Sequence, residues 1–293
     1  MPKRLFFILI LALIIYMMIL HVSGGFSFEL GGTIFLFNRA SDAVLLLILL
    51  VSTQFISVHS FRDSFSDAIS KIIKNQKHIV VFIIGMLGLE AILGCLHVFL
   101  YGRTFAFDLD REFNLPTYYS AFLFLLNFFI IGVIIHDRQK SGLVHKGWWF
   151  IAFVFFFLSL DEVGRFHEEF VPFLRRNISS LDSVLDSNRY WVLLILPLII
   201  FTIIYFSLFL YRTFKNNPWM LAGTALALIL WIIVLWLELW EGYTEHTYKF
   251  KALAEEEFEM LGATLFLAVF LGYKKNRVTD QTFKSTGKES HSC

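Results

Sequence analysis

The residues of this chain that could do chemistry are carboxylates and imidazoles, placed at helical spacing near the ends of very apolar segments. In the densest stretch, Asp161, Arg165 and Glu168 would share one face of a helix. His167 would lie on the adjacent face. Carboxylates and imidazoles bind Zn, Fe or Mn and also transfer protons. The stretch therefore predicts metal or proton-transfer chemistry held by Arg165, or else an ion-pair ladder at the lipid headgroups.

A second acidic stretch lies at the end of a later apolar run. Glu238, Glu241 and Glu245 recur there at helical spacing and are followed directly by His246. Glu238 still lies inside the apolar run, and a charged group in that position needs a partner. We therefore expect a basic residue from another helix to approach Glu238.

A third acidic stretch opens the last apolar run. Glu255 and Glu259 would share a face with Gly262, a position at which another helix could pack closely. Acids at a helix N-terminus also offset the helix macrodipole, which accounts for Glu255 better than for the deeper Glu259. The pattern therefore favours a site role for Glu259.

Glu90 lies at the centre of a predicted membrane span, residues 79–101, with Gly94 and His97 on the same face. An ionised Glu at the bilayer midplane is costly. Glu90 is therefore expected either to be protonated and hydrogen-bonded between helices or to line a hydrated path. His97 alone predicts an interhelical hydrogen bond, whereas together with His167 and His246 it predicts a metal site.

We predict that these side chains converge on one cavity that opens away from the cytosol. Asp110 and Arg111, in the loop before the fourth span, are predicted to bind substrate. The predicted set is catalytic Glu90, Asp161, Glu168 and Glu238; substrate-binding Asp110, Arg111 and Arg165; and metal-ligating His97, Asp161, His167, Glu241, His246, Glu255 and Glu259. The cofactor would be a divalent metal of undetermined identity.

The elements that would position these residues are long apolar helices. Hydrophobic residues make up 57% of the chain, and its mean hydropathy is +0.67. An α-helix needs about 20 apolar residues to cross ~30 Å of hydrocarbon. The sequence predicts an all-α, polytopic integral membrane helical bundle of about eight transmembrane helices. The predicted spans are residues 5–20, 42–58, 79–101, 117–135, 148–164, 190–210, 219–240 and 257–273.

Charge sets the orientation of this bundle. With both termini cytoplasmic, sixteen of the 25 Lys and Arg residues fall inside, and eighteen of the 24 acidic residues fall outside. Eighteen acids against nine bases cannot all be paired, which favours a bound cation or raised carboxylate pKa values on the outer side. We predict a single transmembrane domain over residues 1–275 and a disordered cytoplasmic tail over residues 276–293.

Other signals are weaker. Residues 1–24 predict an uncleaved anchor, which we prefer, or a signal peptide, and residues 26–37 predict an outer re-entrant or short extended connection. His167 and Glu168 begin like a zincin motif, but Val171 stands where the second His is needed. The chain also lacks a G-x-S-x-G elbow, a Gly-rich phosphate loop and a CxxC pair.

Three blocks of the sequence carry a family resemblance. They are residues 107–120 (FDLDREFNLPTYYS), 158–169 (LSLDEVGRFHEE) and 255–266 (EEEFEMLGATLF). With these blocks the chain resembles a family of multi-pass bacterial membrane proteins that has no assigned activity. The likeness covers about residues 107–272. It implies the topology, a bacterial inner (plasma) membrane and the choice of site residues, and it implies no chemistry.

Three classes of function agree with these patterns. The first is a metal-assisted enzyme acting on a lipid or lipid-linked substrate at the outer leaflet. The second is a proton- or cation-coupled transporter or ion-binding protein that uses Glu90 and Glu238. The third is a structural or assembly protein. Membrane lipid is the expected partner, and protein partners stay open. Nucleic acid is not expected, because the basic residues are scattered among the inner loops.

Overall fold

The computed structural model describes residues 26–30, 33–37, 40–101, 103–109, 114–164, 166, 190–239 and 245–289. Eight α-helices make up most of these described residues. They are α1 (Ala40–Ser57), α2 (His59–Ile73), α3 (Gln76–Leu100), α4 (Leu115–Lys140), α5 (Lys146–Gly164), α6 (Tyr190–Phe214), α7 (Pro218–Leu239) and α8 (Glu245–Glu289). The predicted helical architecture is therefore confirmed for the described part of the chain.

A short β-hairpin precedes the helices. Strand β1 (Phe26–Leu30) pairs antiparallel with strand β2 (Thr33–Phe37), and Phe26 lies opposite Phe37. The extended alternative predicted for residues 26–37 therefore describes this segment better than the re-entrant one.

Five of the described helices are long and apolar enough to cross a membrane: α3, α4, α5, residues Ile195–Phe214 of α6, and α7. Residues Val44–Ser57 of α1 pass the same test together with α2, but the two helices are bent by 96° at their junction. They form a broken span or a re-entrant segment. The predicted span 257–273 lies within α8, and the predicted span 5–20 lies outside the described residues.

Helix α2 was not predicted. Its residues 59–73 lie between the predicted spans 42–58 and 79–101, in a connection expected on the inner side. Phe61, Phe65 and Ile69 recur every four residues and pack against the core, while Ile73 is fully buried. The opposite face is rich in Ser, Asp and Lys. Only one stripe of α2 is apolar, which is typical of a helix that lies on a surface and explains why the hydropathy of this segment gave no signal.

The centre of the bundle is built by α4 and α8. In the apolar stretch of α4 that could cross a membrane, 72% of the residues are buried, compared with 11% in the corresponding stretch of α6. Phe155 of α5 and Phe266 and Phe270 of α8 are fully buried between these helices. Helix α8 also packs against α3 on one side and α7 on the other. This arrangement brings the acidic start of α8 next to the polar residues of both neighbours.

Candidate functional site

Glu90 lies in the middle of α3, is 2% exposed and faces α4 and α8. The Thr264 hydroxyl of α8 donates to Glu90 Oε1 at 2.5 Å. The Tyr119 hydroxyl of α4 lies 3.3 Å from the same oxygen and 3.1 Å from the Met86 carbonyl oxygen. These partners are neutral hydroxyls. Among the described residues, therefore, no base forms an ion pair with Glu90.

A second carboxyl group approaches α3 one turn further along, at Gly94. A Cβ built on Gly94 would overlap Oε1 of Glu257 and would lie 3.0 Å from its Cδ, so only glycine leaves room for this carboxyl group. Oε1 of Glu257 is buried and has no hydrogen-bond partner among the described residues. Glu90 and Glu257 also lie close enough to repel each other electrostatically. Two carboxyl groups thus lie at this level of the α3–α8 contact, and the described residues place no ion-pair partner against either of them.

A lysine bridges α8 and α7 on the other side of α8. Lys251 Nζ lies 2.5 Å from Glu255 Oε2 and 3.8 Å from Glu238 Oε2. The predicted basic partner of Glu238 is thereby confirmed as Lys251. Burial, a hydrogen bond with Glu238 and the negative charge of Glu238 raise the pKa of Glu255 from 4.5 to about 8, against the opposing effect of Lys251. One proton is therefore shared by the two carboxyl groups near neutral pH.

His97 is fully buried, and both of its ring nitrogens are occupied. Nδ1 accepts a hydrogen bond from the Leu109 backbone N–H at 3.0 Å, and Nε2 lies 3.3 Å from the Lys249 carbonyl oxygen. Asp108 Oδ1 is 3.5 Å from Nδ1, so the shorter bond from Leu109 fixes the tautomer with Nε2 protonated. His97 thereby ties the loop 103–109 to α8, in keeping with the interhelical hydrogen bond predicted for it alone, and its role as a metal ligand stays a prediction.

The other predicted site residues divide into two groups. Asp161 lies half-buried in the last turn of α5, and Glu259 is half-buried in α8. The carbonyl oxygen of Glu259 accepts a hydrogen bond from Trp231 Nε1 at 3.2 Å, which fixes α8 against α7. The remaining residues, Asp110, Arg111, Arg165, His167, Glu168 and Glu241, lie outside the described residues, and His246 is described as helical backbone only. The structure therefore brings Glu238 and Glu255 together at the contact of α7 with α8, and it places Glu90 at the separate contact of α3 with α8.

A further cluster, which the sequence did not predict, lies on the predicted inner side. It is formed by His59 and Asp63 of α2 with His136 and Lys140 of α4. The spacing of His59 and Asp63, four residues apart, was the one available signal. It was not recognised because α2 was not predicted to be a helix. No sequence pattern links residues 59–63 to residue 136 on another helix.

One family model matches this chain, over residues 79–273, and its description is Domain of unknown function (DUF8692). The match includes the three blocks on which the resemblance was based. No curated protein and no solved structure matches the chain.

Proposed function

Because this chain belongs to the DUF8692 family, which has no assigned activity, we propose its function from the geometry of its own residues. We propose a polytopic membrane protein that transports protons or small cations by way of carboxyl groups at the contacts of α8 with α3 and α7, with access to these groups from the outer side of the membrane.

The proposed topology has eight crossings and places both termini in the cytoplasm. Residue pairs that hold helix ends together support it. Lys274 of α8 forms an ion pair with Asp137 of α4, and Lys275 donates to Gln76 of α3 at 2.8 Å. All four residues are predicted on the inner side. At the predicted outer side, Lys249 of α8 donates to the Val98 carbonyl of α3. These contacts support the predicted grouping of each end of α8 with the neighbouring helix ends.

The observation that carries the proposal is the environment of Glu90. A carboxylate in the middle of a membrane span is unstable unless it is protonated or paired with a cation. Among the described residues, Glu90 has hydroxyl partners only and lies near a second carboxyl group, that of Glu257. Two acidic groups at one site cannot both be ionised without a counter-charge. A proton or a bound cation would supply that charge, and its release would restore the repulsion.

We place the path to the outer side along α8. Glu257 faces α3, whereas Glu255 faces Glu238 of α7, so acidic groups continue from the membrane centre to the predicted outer end of the helix. Glu255, with its pKa of about 8, can accept or release a proton near neutral pH. In the proposed mechanism, Glu255 and Glu238 exchange protons with the outer solution, and Glu90 and Glu257 hold the ion within the bundle.

A flux measurement tests this proposal. The purified protein is reconstituted into liposomes that contain a pH-sensitive dye, and a potassium diffusion potential drives protons inward. We expect flux with the wild-type protein and its loss with Glu90→Gln, which keeps the hydrogen bond from Thr264 and removes the titratable group. Glu162→Gln, an acidic residue at the predicted outer end of α5, is the matched control and should retain flux.

The design separates loss of function from loss of fold. Thermal unfolding in detergent identifies variants that fail to fold, and Glu257→Gln provides a second folded variant that removes the facing carboxyl group. A wild-type protein without proton flux, and without flux of Na⁺, K⁺ or Ca²⁺ in the same liposomes, would overturn the proposal. Equal flux in wild type and Glu90→Gln would do the same.

A membrane enzyme acting on a lipid or lipid-linked substrate is the second candidate. One observation favours it: Glu238, Lys251 and Glu255 combine a carboxylate, a lysine and a carboxyl group with a pKa of about 8. Such a set could act as a general acid and base next to lipid headgroups. The same liposomes distinguish the candidates, because turnover of their lipids without ion flux would favour the enzyme.

A further inference from the structure

The inner cluster of α2 and α4 combines two imidazoles and one carboxylate. His136 Nε2 lies 2.8 Å from Asp63 Oδ1, and His59 Nδ1 lies 3.7 Å from Asp63 Oδ2. One potential ligand atom from each of the three residues lies within 4.8 Å of the others. The rings of His59 and His136 meet edge to face with their centroids 5.3 Å apart. Two His and one carboxylate are a ligand set typical of open zinc and related transition-metal sites.

The burial of these residues suits an ion that enters from the solution. His136 is 2% exposed and is fixed in the bundle, whereas Asp63 and His59 are 42% and 71% exposed. Ligand atoms around a tetrahedral zinc lie roughly 3.3 Å apart, given bonds of about 2.0–2.1 Å. A small rotation of the exposed His59 side chain would close the set to that spacing. A fourth position would remain open to water.

The cluster already binds a positive charge. Lys140 Nζ lies 2.6 Å from Asp63 Oδ1. Lys140 and His136 both form hydrogen bonds with this oxygen, so the Asp63 carboxylate is already held facing a cationic group. A metal ion would take over the role of the ammonium group on Asp63, and Lys140 would move towards solvent. Lys140 is 60% exposed, which leaves it room to do so.

We propose that His59, Asp63 and His136 bind one divalent transition-metal ion, of which Zn²⁺ is the best match, at the predicted cytoplasmic end of the bundle. Lys140 competes with the metal for Asp63. Metal binding would clamp α2 onto α4 and so fix the bend between α1 and α2. This site does not depend on the proton or cation exchange proposed for the outer side.

Metal titration of the purified full-length protein tests this assignment. Any histidine tag is removed, the protein is stripped with a chelator in detergent, and Zn²⁺ is added in competition with a chromophoric chelator. Co²⁺ serves as a second probe, because its visible absorption reports tetrahedral coordination. We expect one equivalent of metal. His59→Ala should weaken binding by at least about ten-fold, and its exposure makes the fold tolerant of this change.

Two further variants separate a metal site from a simple helix contact. Lys140→Met should tighten Zn²⁺ binding, because it removes the competing charge from Asp63. His78→Ala is the matched control, an exposed histidine at the start of α3 on the same predicted side, and should leave binding unchanged. Absence of stoichiometric metal would overturn the proposal. So would equal affinity in His59→Ala and His78→Ala, or a Lys140→Met variant that binds no better than wild type.

Discussion

At the scale of single residues, Glu255 shows most clearly how the burial of a carboxyl group makes the stability of the folded protein depend on pH. Its pKa is about 8 in the folded protein, compared with 4.5 for an ordinary Glu side chain. Between these values the folded state holds a proton that the unfolded state releases, so stability is greatest below about pH 4.5 and falls as the pH rises towards 8. The slope is at most about 1.4 kcal/mol per pH unit for one proton. We expect Glu255→Gln to flatten it, as measured by unfolding in mixed micelles at several pH values.

Lys251 supplies the comparison for that measurement. Lys251→Met removes the cation that favours the ionised form of Glu255, so the decline in stability should extend to higher pH than in wild type. A Glu255→Gln variant with the same pH slope as wild type would show that the shared proton lies elsewhere.

The roles of single residues were only partly predictable. Helical spacing correctly placed Glu90, Gly94 and His97 on one face, because 3.6 residues per turn determine which side chains share a face. The same spacing cannot reveal partners. His97 bonds to backbone groups 12 and 152 positions away, so its two contacts became visible only in three dimensions.

At the scale of helices, the contact between α7 and α8 depends on Gly262. A Cβ at Gly262 would overlap the indole ring of Trp231 and would lie 3.4 Å from the Ala227 carbonyl oxygen. The rigid ring cannot move aside as a flexible chain end would. We therefore expect Gly262→Ala to destabilise the protein by about 1–3 kcal/mol. The measurement is the midpoint of denaturant unfolding in micelles.

Gly272, in the same helix, provides the control for this prediction. A Cβ there would lie 3.5 Å from Met220 Cε, an ordinary van der Waals contact. Gly272→Ala should therefore be neutral or slightly stabilising, because alanine is the better helix former. Equal losses of stability in the two variants would indicate that helix propensity, and not the contact with Trp231, determines the result.

The helices themselves differ in how readily the sequence reveals them. Apolar runs located α3, α4, α5 and α7 within a few residues, because a long hydrophobic helix has a strong local signal. Helix α2 has no such run, and its apolar stripe of Phe61, Phe65 and Ile69 is stabilised by packing against the bundle. Its two potential metal ligands were missed for this reason.

At the scale of the whole molecule, charge asymmetry and helix contacts lead to one topology. On the predicted inner side, Lys140 pairs with Asp63 and Lys274 pairs with Asp137. On the predicted outer side, Lys251 pairs with Glu238 and Glu255. An error in the predicted spans would place paired residues on opposite faces of the membrane. The ion pairs therefore support the predicted grouping of helix ends, whereas the prediction of which group faces the cytoplasm rests on the Lys and Arg count alone.

This topology can be tested with the two cysteines of the chain, Cys95 and Cys293. Cys95→Ser leaves Cys293 as a single probe of the C-terminal tail, which the charge pattern predicts to be cytoplasmic. A membrane-impermeant maleimide should label Cys293 only after the cells are permeabilised. Ser183→Cys, in a background without both native cysteines, is predicted to lie on the outer side and should react in intact cells. Labelling of Cys293 in intact cells would reverse the orientation and place the acidic ends of α7 and α8 in the cytoplasm.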